Sequence, residues 1–163
     1  MSAPTIIGVD PGKTGALAAL DVGTGALVSV LDMPMLDAGI VDGWAVRNWV
    51  LDLADLDEIR AAWVERVHSM PKQGVASSFT FGAAYGGVAT ALNALSIPVE
   101  LVPPNVWKKA ASLGKDKGAA RAMACRLWPS SSEWFRRVKD DGRAEAALIA
   151  RHGWRLVREV EGR

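Results

Sequence analysis

The sequence predicts a single α/β domain built around a mixed β-sheet. The 163 residues are 50% hydrophobic and 23% charged, which fits one compact domain with a real core but leaves no room for two. Short β-branched or apolar runs separated by glycine-rich turns open the chain and are typical of strands. Longer segments with helical hydrophobic spacing then alternate with two further strands. A hairpin continued by helical crossovers gives a mixed sheet with helices packed on it.

Local patterns predict each element in chain order. The first strand is the apolar run TIIGVD, closed by Pro11-Gly12, and a turn over 21–25 joins the next two strands. Hydrophobic residues at spacings of three and four predict the helices, and Pro103-Pro104 ends the fifth strand. The predicted strands are 5–10, 16–20, 27–31, 61–66 and 98–102. The predicted helices are 44–56, 77–95, 105–111, 117–128 and 141 to beyond 152.

Composition limits the compartment in which this protein is expected. No apolar run reaches about eighteen residues, and the N-terminus lacks a basic stretch followed by a hydrophobic one, so we expect neither a membrane span nor an export signal. Cys125 is the single cysteine, and with only His68 and His152 beside it no disulfide or structural zinc site is expected. These features predict a cytoplasmic protein.

The net charge of +1 hides an uneven distribution along the chain. Residues 1–100 carry 5 basic and 11 acidic side chains, a balance of −6, whereas residues 101–163 carry 14 basic and 7 acidic ones, a balance of +7. Such asymmetry favours a polyanionic partner that meets one face of the protein. An unevenly charged, solvated surface explains the counts equally well.

The first strand ends in a carboxylate, and several glycines lie in the same segment, GVDPGKTG. Asp10 ends a buried strand, and the glycines would let a phosphate or a metal approach the backbone. Gly12-Lys13-Thr14 resembles the end of a P-loop, but too few residues separate Gly8 from Gly12, and a strand follows where that motif needs a helix. The segment also resembles the first phosphate loop of the actin and sugar-kinase ATPases, which need a second such domain. A third interpretation is that Asp10 holds a divalent metal.

A metal site would need more carboxylates than Asp10 alone. Glu65 ends the apolar strand AAWVE, where an unpaired carboxylate is costly to bury. A pairing of Glu65 with Arg60 or Arg66 would by itself be the simpler explanation.

The last predicted helix carries three acidic residues, in KDDGRAEAALIA. Asp141 and Glu145 lie about 40° apart on one helix face, whereas Asp140 and Glu145 lie about 140° apart. Asp141 and Glu145 can therefore share a ligand, and Asp140 is the better N-cap. A capped surface helix, whose acidic first turn complements the helix dipole, is the alternative. Oxygen ligands on two strands and one helix suit Mg²⁺ or Mn²⁺, and two such ions about 4 Å apart can hydrolyse phosphodiesters.

Four segments resemble, in order and spacing, the RuvC family of Holliday junction resolvases, specifically its compact phage and prophage members. These segments are IIGVDPGKTGALAAL, WVERVHSMPKQGVASSFTFGAAYGGVATAL, PPNVWKKAASLGKDKGAARAMA and KDDGRAEAALIARHG. The resemblance runs from about residue 5 to residue 153. It implies one nuclease domain over 1–163, with a ribonuclease H-like fold in which helices cover both faces of a five-stranded mixed sheet. It also implies a homodimer and Mg²⁺-dependent nicking of paired strands in four-way or other branched DNA.

The resemblance implies metal-binding roles for three of the carboxylates. Asp10 matches the first-strand carboxylate, Glu65 the fourth-strand carboxylate, and Glu145 the later acidic residue of the final helix. Glu145 stands where bacterial members have aspartate, which lengthens this ligand by one methylene.

The fourth ligand is less direct. Bacterial members commonly place it three residues before the later acidic residue, and that position here is Gly142. The role must pass to Asp141 or Asp140, of which helical geometry favours Asp141. No small-molecule cofactor is implied. The resulting catalytic and metal-binding prediction, for two Mg²⁺ ions with Mn²⁺ as a substitute, comprises Asp10, Glu65, Asp141 and Glu145.

The resemblance also gives the basic part of the chain a function. Lys108 and Lys109 match a family pair after the fifth strand, and Lys117 matches a lysine at the start of the next helix. The resemblance implies that these lysines contact phosphates. His68 stands where the family places an aromatic residue that stacks on bases at the crossover. A solvated helix surface is the alternative for the lysines. The full set of predicted DNA contacts is Lys13, His68, Lys72, Lys108, Lys109, Lys115 and Lys117.

The helix predicted over 77–95 matches the family's dimer helix. Five hydrophobic residues recur on it at heptad spacing, and three glycines would let a partner backbone approach. The same stripe must also face the core in part. The stripe comprises Phe81, Tyr85, Val88, Leu92 and Leu95, and the glycines are Gly82, Gly86 and Gly87.

Two alternatives to a resolvase stay open. The departures at Gly142 and Glu145 would fit a DNA-binding module that recognises junction shape without cutting it. A ribonuclease H-like nuclease with another branched or RNA-containing substrate is the second alternative, because a fold does not determine a function.

Overall fold

The computed structural model describes residues 4–37, 39–66, 74–116 and 118–162, and its centre is a five-stranded sheet. The strands lie in the order β3-β2-β1-β4-β5. β1 and β3 both run antiparallel to β2, while β4 runs parallel to β1 and β5. The predicted mixed sheet is therefore confirmed. The strands are β1 Thr5–Asp10, β2 Ala16–Asp21, β3 Leu27–Asp32, β4 Ile59–Glu65 and β5 Val99–Val102.

Helices cover both faces of the sheet, as predicted. One hydrophobic core lies between the sheet and helices α1 and α2, and the other lies beneath α3, α4 and α5. Burying apolar side chains on each face is what holds such a three-layer arrangement together. The helices are α1 Gly43–Leu53, α2 Val75–Ala94, α3 Pro104–Ala110, α4 Ala119–Leu127 and α5 Asp141–Glu161.

Two segments differ from the sequence prediction. α1 ends at Leu53, earlier than predicted, because Ala54 is extended, and a 3₁₀ turn over Leu56–Glu58 leads into β4. The segment between α4 and α5, to which no element was assigned, forms 3₁₀ turns over Pro129–Phe135 and Val138–Asp140. These turns show no clear hydrophobic period, which explains why sequence patterns miss them.

α5 lies directly on β1, and a glycine makes this close approach possible. A Cβ atom at Gly8 would overlap the backbone of Ala146 and Ala150 in α5. Farther along the helix, a Cβ at Gly153 would overlap the ring of Trp63 in β4. This contact places the first turns of α5 beside the carboxyl ends of β1 and β4.

The hydrophobic stripe of α2 turns partly toward the core. Val88 and Leu92 are fully buried, and Gly87 packs against Val41. Gly82 and Gly86 are exposed, with open space where a Cβ would stand. A partner helix on this exposed side stays a prediction.

Across the parts of the chain that the structure describes, no helix combines the length and the apolar content needed to cross a membrane.

Candidate metal centre

Three carboxylates meet at one edge of the sheet. Asp10 ends β1, Glu65 ends β4, and Glu145 lies in the second turn of α5. Val9 pairs with Val64 across these parallel strands, so Asp10 and Glu65 emerge side by side. One oxygen from each of the three carboxylates can be chosen so that all lie within 4.8 Å of one another. The structure thus brings together three of the four residues predicted as metal ligands.

Burial and mutual repulsion make this cluster unfavourable without a cation. The pKa of Asp10 is raised to about 7, first by burial, then by the charge of Glu145 and then by the charge of Glu65. A weak hydrogen bond from the Gly12 N–H, at 3.4 Å, and the charge of Lys108 act in the opposite direction and do not offset this rise. A bound cation would relieve both desolvation and repulsion. The hard oxygen donors suit Mg²⁺ or Mn²⁺, so these residues fit the metal that the sequence predicts.

α3 contacts two of the three carboxylates. The indole Nε1 of Trp107 donates a hydrogen bond to Glu65 Oε1 at 2.9 Å, and the Trp107 side chain is fully buried. Lys108 Nζ lies 3.4 Å from Glu145 Oε1 and 5.1 Å from the centroid of the Trp107 ring. Trp107 has no role predicted from the sequence, because no pattern distinguishes it from the other tryptophans.

Asp141 lies in the wall of the cleft beside the cluster but outside the three closely spaced carboxylates. Its Oδ1 accepts a hydrogen bond from Arg121 Nε at 2.6 Å. Asp140 is buried away from the cleft, where its carboxylate accepts bonds from the backbone N–H and the guanidinium of Arg137. Burial alone would raise the pKa of Asp140, but the Arg137 hydrogen bonds outweigh it and lower that pKa. Of the two candidates for a fourth ligand, Asp141 is therefore the one that faces the cleft.

The structure leaves no room for a side chain at Gly142, the position at which the sequence resemblance implied a carboxylate in bacterial members. A Cβ there would overlap the backbone oxygen of Thr14 and lie 2.8 Å from the Cα of Gly15. The turn between β1 and β2 thus occupies the space that a side chain at position 142 would need.

Asp10 and Glu145 open into a cleft of about 860 Å³ whose walls carry side chains of both charges. Beside the acidic Asp116 and Asp141, three lysines line it: Lys108 and Lys115, both predicted DNA contacts, and Lys139, which no sequence pattern singled out. The signal that could have found Lys139 is its place in the basic part of the chain, next to the acidic pair that starts α5.

Other predicted DNA contacts lie elsewhere. Lys109 lines a separate groove of about 730 Å³ with His152 and Arg155, because consecutive helical residues point about 100° apart. Lys13 borders a smaller cavity of about 400 Å³ beside the start of α2. The remaining three predicted contacts fall outside the described residues: His68, Lys72 and Lys117.

A carboxylate cluster at the carboxyl ends of the central strands of a mixed sheet defines an α/β protein with a candidate divalent-metal site. This chain resembles Thermus thermophilus RuvC in complex with a Holliday junction substrate, with 20% identity, 94% of each chain covered and a TM-score of 0.66. It also resembles a second structure of Thermus thermophilus RuvC, with 21% identity, 91% of this chain and 96% of that chain covered, and a TM-score of 0.58. No family model and no curated protein matches the sequence. The RuvC-like, ribonuclease H-like fold that the sequence resemblance implied is thereby confirmed.

Proposed function

We propose that this chain is a divalent-metal-dependent endonuclease that resolves Holliday junctions and other branched DNA. The observation that carries this proposal is the close approach of the Asp10, Glu65 and Glu145 carboxylates, at the edge of a RuvC-like sheet. The similar Thermus thermophilus protein is described in complex with a Holliday junction substrate, which supports the same substrate class here. In this proposal, residues 1–163 form one nuclease domain that acts in the cytoplasm.

The clustered carboxylates are proposed to hold two Mg²⁺ ions, for which Mn²⁺ can substitute. When bound, such ions activate a water molecule and stabilise the leaving oxygen of a phosphodiester. Asp10, Glu65 and Glu145 would hold the ions, and Asp141 would join them once it exchanges its ion pair with Arg121 for the metal. The lysines that line the cleft, Lys108, Lys115 and Lys139, would orient the phosphate beside the carboxylates.

A resolvase has to cut two equivalent strands, which favours a two-fold symmetric dimer. We propose that α2 forms the interface through its exposed side. Phe79 is 76% exposed on this helix, and Gly82 and Gly86 leave room for a partner backbone. Each protomer would then present one carboxylate cleft, with its lysines, to one strand of the junction.

The decisive experiment compares three labelled substrates: an immobile four-way junction, a matched duplex and an RNA–DNA hybrid. Each is incubated with the protein, with and without Mg²⁺, and the cuts are mapped on a denaturing gel. Paired symmetric nicks in the junction alone are expected. D10N should abolish these cuts while leaving junction binding largely intact, since asparagine keeps the shape of the side chain. Cuts in the hybrid would instead assign an RNA-containing substrate.

A second candidate is a module that binds junctions without cutting them. The ion pair between Arg121 and Asp141 favours it, because it occupies the carboxylate that would complete the metal site. Single-turnover assays with Mg²⁺ and with Mn²⁺ distinguish the two candidates. Junction binding with no cleavage in either metal would replace the nuclease proposal by this one.

A further inference from the structure

We infer that Trp107 is a positioning residue of the metal centre, whose indole N–H holds the Glu65 carboxylate in its ligating orientation. This inference rests on the proposed metal site. The two residues lie 42 positions apart in the sequence, yet Nε1 of Trp107 lies 2.9 Å from Oε1 of Glu65. An indole N–H is a donor only, so in this bond the Glu65 carboxylate is the acceptor.

Trp107 is held rigidly enough to act in this way. Its ring is fully buried in the core formed with α5, and Glu65 is only 9% exposed. A close-packed aromatic side chain in the interior keeps a single rotamer, so the direction of its N–H is set by the fold. One oxygen of Glu65 thus has a fixed partner, which restrains rotation of the carboxylate. Partners of this kind orient metal ligands in many proteins.

The other tryptophans show that this contact is not a general use of indoles in the chain. Trp128 donates to the backbone carbonyl of Gly25 at 3.0 Å, and Trp154 donates to that of Val22 at 2.8 Å. Both of these bonds fasten loops or strand ends to helices. The Trp107 bond ends on a carboxylate of the candidate metal centre instead. Trp128, which is 7% exposed, is therefore a matched control for a lost structural indole bond.

The first test is the Mg²⁺ affinity of the intact protein, measured by titration while amide and indole resonances are followed by ¹⁵N–¹H NMR. W107F removes the donor, and we expect it to weaken Mg²⁺ binding about tenfold or more. W128F removes a comparable indole bond away from the cluster and should leave the affinity unchanged. Equal affinities for W107F and wild type would overturn the inference.

A second variant separates the donor from the bulk of the ring. The five-membered ring of histidine overlies the pyrrole ring of tryptophan, so the Nε2–H of W107H can replace the indole N–H, although the variant loses more volume than W107F. The comparison is made at pH about 8, where imidazole is neutral, and with Mg²⁺, which prefers oxygen ligands. If Trp107 positions Glu65, W107H binds Mg²⁺ more tightly than W107F. If W107H binds no better than W107F, the ring serves only as packing and the inference fails.

A third measurement, which leaves Trp107 unchanged, keeps the inference testable if W107F and W107H do not fold. The indole resonance that E65Q displaces should also move when Mg²⁺ is added to wild-type protein, because both changes act on the same acceptor. If no indole resonance shifts both in E65Q and on addition of Mg²⁺ to the wild type, the inference fails. Absence of any Mg²⁺ binding by the wild type would overturn the proposed metal centre itself, which distinguishes that failure from a failure of Trp107 alone.

Discussion

Replacing Asp10 by asparagine should stabilise the metal-free protein while removing its response to Mg²⁺. In the structure, burial and the charges of Glu145 and Glu65 raise the pKa of Asp10 from 3.8 to about 7. At about 1.4 kcal/mol per pH unit, this difference sets a ceiling of about 4 kcal/mol on the destabilisation that ionised Asp10 causes above neutral pH. Water in the open cleft screens part of this repulsion. We expect D10N to raise the free energy of unfolding by about 1–3 kcal/mol at pH about 8.

The sign of the pH dependence follows from the raised pKa. The folded protein binds a proton at Asp10 more readily than the unfolded chain does, so wild type gains stability as the pH falls from about 7 toward 3.8. Asparagine does not titrate, so the advantage of D10N should shrink as the pH falls from about 8 to about 5, by no more than about 3 kcal/mol. Subtracting the D10N curve from the wild-type curve removes the contributions of other titrating groups.

Urea denaturation in EDTA, at both pH values, measures these differences directly. Adding Mg²⁺ at about 100 times its dissociation constant should then stabilise wild type by about 2.7 kcal/mol and D10N by much less. A D10N protein that is less stable than wild type at high pH in EDTA would refute the picture of a strained carboxylate cluster. So would a difference between the two proteins that does not change with pH.

Three further substitutions test other parts of the site. G142D creates the carboxylate spacing of the RuvC family that the sequence resembles, but it forces a side chain into the turn between β1 and β2. It should therefore lower the free energy of unfolding by more than about 2 kcal/mol, seen by urea denaturation, and should not increase cleavage. R143Q removes the ion pair between Arg143 and Asp32. Because the hydrogen bond from Arg143 lowers the pKa of Asp32, the free energy of unfolding should fall by about 0.5–1 kcal/mol above pH 3.8, and this loss should disappear below that pH. A pH-independent loss would contradict this reasoning. K108Q should slow junction cleavage more than K109Q does in single-turnover assays, because Lys108 lies in the carboxylate cleft and Lys109 in a separate groove; equal effects would remove the distinction between the two surfaces.

Local patterns were sufficient for the strands and most helices, and for two of the three clustered carboxylates. Alternating and β-branched runs report directly which segments pair in a sheet, so β1 through β5 were predicted within two residues at each end. Asp10 and Glu65 each end an apolar strand, and the carboxyl ends of parallel neighbours meet at one edge. Position relative to a strand end is local information, which explains why the sequence alone singled out these two residues as candidate metal ligands, whereas their adjacency comes from the sheet.

The tertiary structure decided what each remaining side chain faces. Glu145 reaches the cluster because Gly8 lets α5 lie on β1, whereas Asp141, four residues earlier, pairs with Arg121. The bond from Trp107 to Glu65 joins elements far apart in sequence and has no local pattern. Helical spacing indicates which residues share a face of the helix, but not which element that face packs against. That choice depends on how the helices pack, and packing is a property of the whole core rather than of any one segment.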